Sequence, residues 1–112
     1  MTLPLWIDTH CHLDAPELAH DIDVVRALAA ERGVRLCVLP AVAADHFEGA
    51  RALAHRLGDA YALGIHPLFV AHAQEGDLER LDAALTQWRD DPSFSPFRAP
   101  ATRGQLACRL LS

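Results

Sequence analysis

Lysine and asparagine are absent from the 112 residues, so all ten positive side chains are arginines. Fifteen acids outnumber them and the formal net charge is −5. That balance excludes a broad basic surface of the kind that holds nucleic acid by phosphate contacts alone. A nucleic-acid substrate stays open, because a metal ion can supply positive charge locally. Long apolar runs are also missing, and nothing approaches the roughly 20 residues needed to span a bilayer. The N-terminus has neither the basic start nor the apolar stretch of a signal peptide. Cysteines are three, Cys11, Cys37 and Cys108, and an odd number without a secretion signal points to reduced thiols. The expectation is a soluble, cytoplasmic protein without a membrane partner. There is no glycine-rich phosphate loop, no CxxC pair and no G-x-S-x-G elbow, so P-loop, zinc-finger and serine-hydrolase readings have no support.

What is present fits one small globular domain: 51% of the residues are apolar and 22% charged. The apolar run Leu3 to Ile7 reads as a buried strand that ends at Asp8. Leu18, Ile22, Val25 and Ala29 then recur at helical spacing up to Gly33, which suits a helix-closing glycine. Leu36 to Leu39 forms a second strand stopped by Pro40. Phe47, Ala50, Ala54 and Leu57 make a second helical stripe, ended by Gly58. Tyr61 to Ile65 is a third strand, and Leu78, Leu81, Leu85 and Trp88 mark a third helix. Strands alternating with helices at intervals near 30 residues predict parallel strands joined by right-handed crossovers. Near-continuous apolar strands predict that both sheet faces are covered.

The pattern stops after residue 91. A fourth strand is due, but Pro96 and Pro100 cannot donate to a ladder. All fifteen acids precede Pro92, and the remaining segment carries three arginines and no acid. Residues 1–91 are therefore expected to form one unit. Residues 92–112 are expected to be an aberrant or disordered tail, such as an out-of-frame end, with at most one or two helical turns at Gln105–Leu111.

The chemistry concentrates in Asp8-Thr9-His10-Cys11-His12-Leu13-Asp14. On extended backbone, residues two apart share a face. His10 and His12 therefore project together from the C-terminal end of the first strand, where two imidazoles can bind one divalent cation. They do not close a site alone, since catalytic zinc usually has three protein ligands and a water. Cys11 faces the other way and reads as a packing residue. Asp8 lies on the histidine face. It either accepts a hydrogen bond from an imidazole and orients it, or bonds turn amides. Asp14 reads as a turn residue. At the end of the third strand stands Gly64-Ile65-His66-Pro67. Pro67 biases His66 towards extended backbone, and His66 is a candidate to bind a phosphate oxygen or assist proton transfer. His20, His46 and His55 read as solvated helix residues, His72 as helix-entry surface, and Arg51 and Arg56 as surface charges.

Together, Ile7-Asp8-Thr9-His10-Cys11-His12-Leu13-Asp14 and Gly64-Ile65-His66-Pro67 resemble the TatD-type DNases, metal-dependent hydrolases with an amidohydrolase-like barrel. The resemblance covers residues 5 to 91, near a third of a barrel of typically ~250 residues. It implies α/β architecture, with this chain supplying the first three βα units of a TIM (β/α)₈ barrel, truncated. It implies hydrolysis of phosphodiester bonds in DNA, or of a small phosphoester, with divalent cations (Zn, Mg or Mn), two in the complete family enzyme. It matches His10 and His12 to the first metal pair and His66 to the substrate-phosphate region. The family's next motif, Glu-x-Gly-Leu-Asp, and its later metal histidines and aspartate have no counterpart. There is no Glu after Glu79, no His after His72 and no Asp after Asp91. The chain is therefore expected to be a weakly active or inactive fragment whose open sheet edges favour oligomerisation. Two other readings are a non-enzymatic metal- or partner-binding fragment and a barrel hydrolase of another substrate class.

Overall fold

The computed structural model describes residues 5–94. The expectations for residues 95–112, Cys108 and a turn at Gln105–Leu111 included, lie outside the described residues, as do Leu3 and Pro4.

Three strands and three α-helices alternate along the chain. They are β1 (Trp6–Asp8), α1 (Ile22–Glu31), β2 (Val34–Pro40), α2 (Phe47–Leu57), β3 (Ala60–Ala62) and α3 (Asp77–Gln87). Single turns of 3₁₀ helix interrupt the loops at Pro16–Leu18 and Ala44–His46, and a longer one at Pro67–His72. The strands form one parallel sheet in the order β1-β2-β3. Ile7 pairs with Leu36, and Leu39 with Tyr61. The expected βα alternation and parallel pairing are thus present.

Period-two alternation divides the apolar residues of β2 and β3 between the faces. Cys37, Leu39 and Tyr61 point to the helical side, where Phe47, Ala50, Ala54, Leu85 and Trp88 complete the main core. Val38, Ala60 and Ala62 form a small cluster on the opposite face. Leu39 and Tyr61 are wholly buried, and each such side chain contributes about 1.5–3 kcal/mol.

The helix ends follow their glycines. Gly58 adopts φ 72° at the C-terminus of α2, and the Asp59 amide then reaches back to the Ala54 carbonyl at 2.8 Å. This is the six-to-one bond of a Schellman closure, which needs a left-handed residue. Gly33 likewise has positive φ beyond α1.

Two expectations need correction. β1 is not buried: Leu5, Trp6 and Ile7 are 66%, 60% and 49% exposed. β1 and β3 both lie at edges of the sheet, but Tyr61 of β3 is covered by Trp88 and Phe94, and burial of a strand requires such neighbours, which its own sequence does not supply. Leu78 is also exposed, at 71%. The inner face of α3 runs through Leu81, Ala84, Leu85 and Trp88 instead. Leu78 sits in the first turn of the helix and borders a surface hollow with Val70 and Leu81.

Two buried carboxylates tie the elements together. Asp59, just before β3, accepts from Arg26 Nε at 2.7 Å and Nη2 at 2.9 Å, and from the Cys37 amide at 3.0 Å. Arg26 also donates to the carbonyls of Val34 and Arg35, so one ion pair joins α1, β2 and β3. Asp91 accepts from Arg51, His55, Tyr61 and the Ser93 amide, joining α2, β3 and the end of α3. Arg51 and His55 are therefore structural partners and not only solvated charges; Arg56 pairs with Asp23 of α1. The Ser93 carbonyl accepts from the Tyr61 amide at 2.9 Å, and Phe94 is buried against the Tyr61 ring. Among the described residues no helix is long and apolar enough to cross a membrane.

Candidate metal centre

The segment after β1 stays laced to the sheet. The Cys11 amide donates to the Val38 carbonyl at 3.0 Å, and Leu13 is buried in the main core. With Cys11 half-buried and Leu13 buried, the intervening alternation throws His10 and His12 outward. Their Nε2 atoms lie 3.1 Å apart and the rings cross edge to face. Two nitrogens on one tetrahedral zinc, each at 2.0–2.1 Å, are separated by about 3.3 Å. The observed spacing is close to what a shared cation requires; it is also that of an N–H···N hydrogen bond between the two rings. Among the described residues no group of three His, Cys, Asp or Glu side chains is close enough to enclose an ion.

The carboxylates beside the pair have different tasks. Asp8 Oδ1 accepts from the His10 backbone amide at 3.1 Å. Of the two readings of Asp8, the turn-amide bond is the one present in this structure. Asp14 Oδ1 instead stands 3.7 Å from His12 Nδ1. That is too long for a hydrogen bond, but near enough to favour an Nδ1 proton and so leave the Nε2 lone pair outward. Asp14 was legible only as a turn residue, and its position two residues past His12 is the signal that carried more.

His66 follows β3, on the same C-terminal side of the parallel sheet, with β2 between it and the histidine pair. Its amide donates to the Val42 carbonyl at 2.8 Å, and its backbone is extended at φ −69°, ψ 141°. Nδ1 accepts from the Leu68 amide at 3.1 Å. An imidazole that accepts at Nδ1 and is neutral carries its proton on Nε2, which leaves a donor directed away from the loop. The structure joins His10 to His12 but shows no contact between either and His66.

Sequence spacing does not reveal the ring cluster beside these residues. Phe69 meets His66 and His46 edge to face, at 6.3 and 6.4 Å between ring centres. His46, which read as a solvated helix residue, thus has an aromatic partner. Cys11 and Cys37 are free thiols. Burial, reinforced by the Asp59 charge, pushes the Cys37 thiol up to about 12. Burial, with the Asp8 charge behind it, also raises Cys11. Neither is a thiolate nucleophile at neutral pH.

Comparison with known proteins points to one family. The family model described as TatD related DNase matches residues 7–91. A curated protein of Escherichia coli (strain K12), the uncharacterized metal-dependent hydrolase YjjV, is 38% identical over 81 residues. That match takes in 71% of this chain and 31% of the relative, so the chain spans about a third of the length of the relative it matches. A parallel βα sheet, paired histidines after its first strand and a family match running from β1 to the end of α3 converge on one assignment: the chain belongs to the TatD-related DNase family.

Proposed function

We propose that His10 and His12 are ligands of a divalent cation in a phosphodiester-hydrolysing site, and that His66 donates from Nε2 to a phosphate oxygen of the substrate. One observation carries the reading: the two Nε2 atoms converge to 3.1 Å on a segment held by Leu13 and the Cys11–Val38 bond. Bound there, zinc, magnesium or manganese would supply Lewis acidity for phosphoryl transfer. The protein's share is to hold the imidazoles converged, to bias His12 through Asp14, and to present the His66 proton. DNA or a small phosphoester is the substrate class. Reduced Cys11 and Cys37 suit a cytoplasmic enzyme.

Two ligands are fewer than a catalytic site needs, and the described residues supply no third within reach. We therefore take residues 1–91 as the opening βα units of a barrel whose other ligands lie outside this span. On this reading the 112-residue chain binds a cation weakly and is a poor catalyst by itself. The exposed apolar residues of β1 favour association of such a partial barrel through its open edge.

Zinc titration of the purified chain by calorimetry tests the pair. One equivalent should bind, and His10→Ala or His12→Ala should each weaken binding by at least roughly tenfold. His66→Ala should leave zinc binding intact while weakening phosphate uptake seen by ³¹P NMR. Zinc binding indifferent to both His10 and His12 would refute the reading. Rapid hydrolysis of bis(p-nitrophenyl) phosphate, lost in His10→Ala, would instead uphold the site and show that the chain is a competent catalyst by itself.

A further inference from the structure

A cleft of about 660 Å³ opens beside His12, between the start of α1 and α2. Its size falls within the roughly 300–1,000 Å³ usual for small-molecule sites. Ile22, Val42, Leu53 and Phe69 give it apolar walls. Its polar lining comes from His12, Asp14, Asp45 and His46.

These residues constrain an occupant. Asp14 repels an anion, so a phosphate belongs outside the cleft, while its oxygens accept N–H groups; Asp45 is already paired with Arg80 Nη2 at 3.0 Å. Apolar walls favour an uncharged body. Phe69 offers an aromatic surface, 37% exposed, held in place by the rings of His46 and His66. A flat heterocycle with amino hydrogens at its edge meets all three conditions. His12 belongs both to the cleft and to the converged pair, so the two sites are continuous.

We propose that this cleft receives the nucleobase of a nucleotide whose phosphate lies at the His10–His12 pair. The base would contact Phe69 and turn its amino edge towards Asp14. The phosphate end of this proposal rests on the function proposed above; the base end does not.

Gly49 provides a clean perturbation. It lines the cleft from α2, and a side chain placed there meets nothing within 4 Å. Gly49→Leu therefore fills the cleft from a helical position where glycine is the poorer helix former. Gly49 is not itself one of the residues proposed to act in the chemistry. The full chain, ¹⁵N-labelled and without added metal, is titrated with deoxyadenosine and separately with deoxyribose. Deoxyadenosine should shift the amides of Ala50, Leu53 and Phe69 in a saturable way, and deoxyribose should not. Phe69→Ala should weaken deoxyadenosine binding by roughly 5- to 150-fold, the range that base–aromatic stacking spans. Gly49→Leu should abolish it with zinc binding unchanged. Equal responses to the two probes, or unchanged deoxyadenosine binding in Gly49→Leu, would overturn the proposal. Deoxyadenosine binding in a chain that fails to bind zinc would sustain the cleft and refute only the metal pair.

Discussion

Replacing Asp91 with asparagine keeps the shape of the side chain and removes its charge, which makes it a direct test of how the three βα units are held together. Asp91 Oδ2 accepts from Arg51 Nε at 3.0 Å, His55 Nε2 at 2.8 Å and Tyr61 Oη at 2.8 Å, and Oδ1 accepts from the Ser93 amide at 3.0 Å. The side chain is 5% exposed. Burial opposes its ionisation, but the hydrogen bonds from His55, Ser93 and Tyr61 outweigh it and hold the carboxyl down at about 2, from an ordinary 3.8. At 1.36 kcal/mol per unit, a depression of nearly two units corresponds to about 2 kcal/mol of stability. Asparagine also places an NH₂ against one set of donors, which adds about 1 kcal/mol. A loss of roughly 2–3 kcal/mol at pH 7 is a large share of a small domain's stability. The sign follows from the direction of the shift. A depressed folded-state pKa gives stability that is complete above about pH 4 and is lost as pH falls towards 2. Urea unfolding followed by the fluorescence of buried Trp88 measures it from pH 2 to pH 7. The gap between the parent and Asp91→Asn should be widest above pH 4 and should narrow on acidification. A constant gap across that range, or a loss below about 0.5 kcal/mol at pH 7, would refute the assignment of Asp91 as an ionised hub.

The second buried carboxylate should behave similarly. Asp59→Ala strands Arg26 beside the Val34 and Arg35 carbonyls and should cost roughly 3–5 kcal/mol in urea unfolding; a cost under 1 kcal/mol would show that the pair is dispensable. Gly58→Ala forces a side chain into φ 72° and should cost about 1 kcal/mol, read as a lower thermal midpoint; an unchanged midpoint would refute the strain argument.

Much of the fold was legible locally. Three helical stripes, two closing glycines and three apolar runs predict alternating elements because their periodicities are properties of neighbouring residues. The stripe Phe47, Ala50 and Ala54 is buried as its spacing requires. Gly58 closes α2 because only a residue tolerant of positive φ allows the six-to-one bond. The pairing of His10 and His12 was legible from their spacing of two, although both lie past the end of β1, after a bend closed by the Asp8 carboxylate.

Burial is a different kind of property. The run Leu5 to Ile7 is as apolar as Cys37 to Leu39, yet one is exposed and the other buried. The difference is what other segments pack on each run, which no residue in either run encodes alone. Leu78 satisfies the helical period of α3 but projects where no neighbour covers it.

The hubs and the cleft depend wholly on chain crossing. Arg26 and Asp59 are 33 residues apart, and Arg51 and Asp91 are 40 apart. Nothing in their local sequence distinguishes them from surface charges. Phe69 sits between His46 and His66 only because the loop after β3 folds back over the start of α2. By itself, then, the sequence determined the order of the elements, where the helices end and which histidines converge, all consequences of backbone period and steric freedom. The tertiary structure alone decided which carboxylates are buried, which apolar residues stay in water and what lies beside His12, because each depends on contacts between residues far apart in the chain.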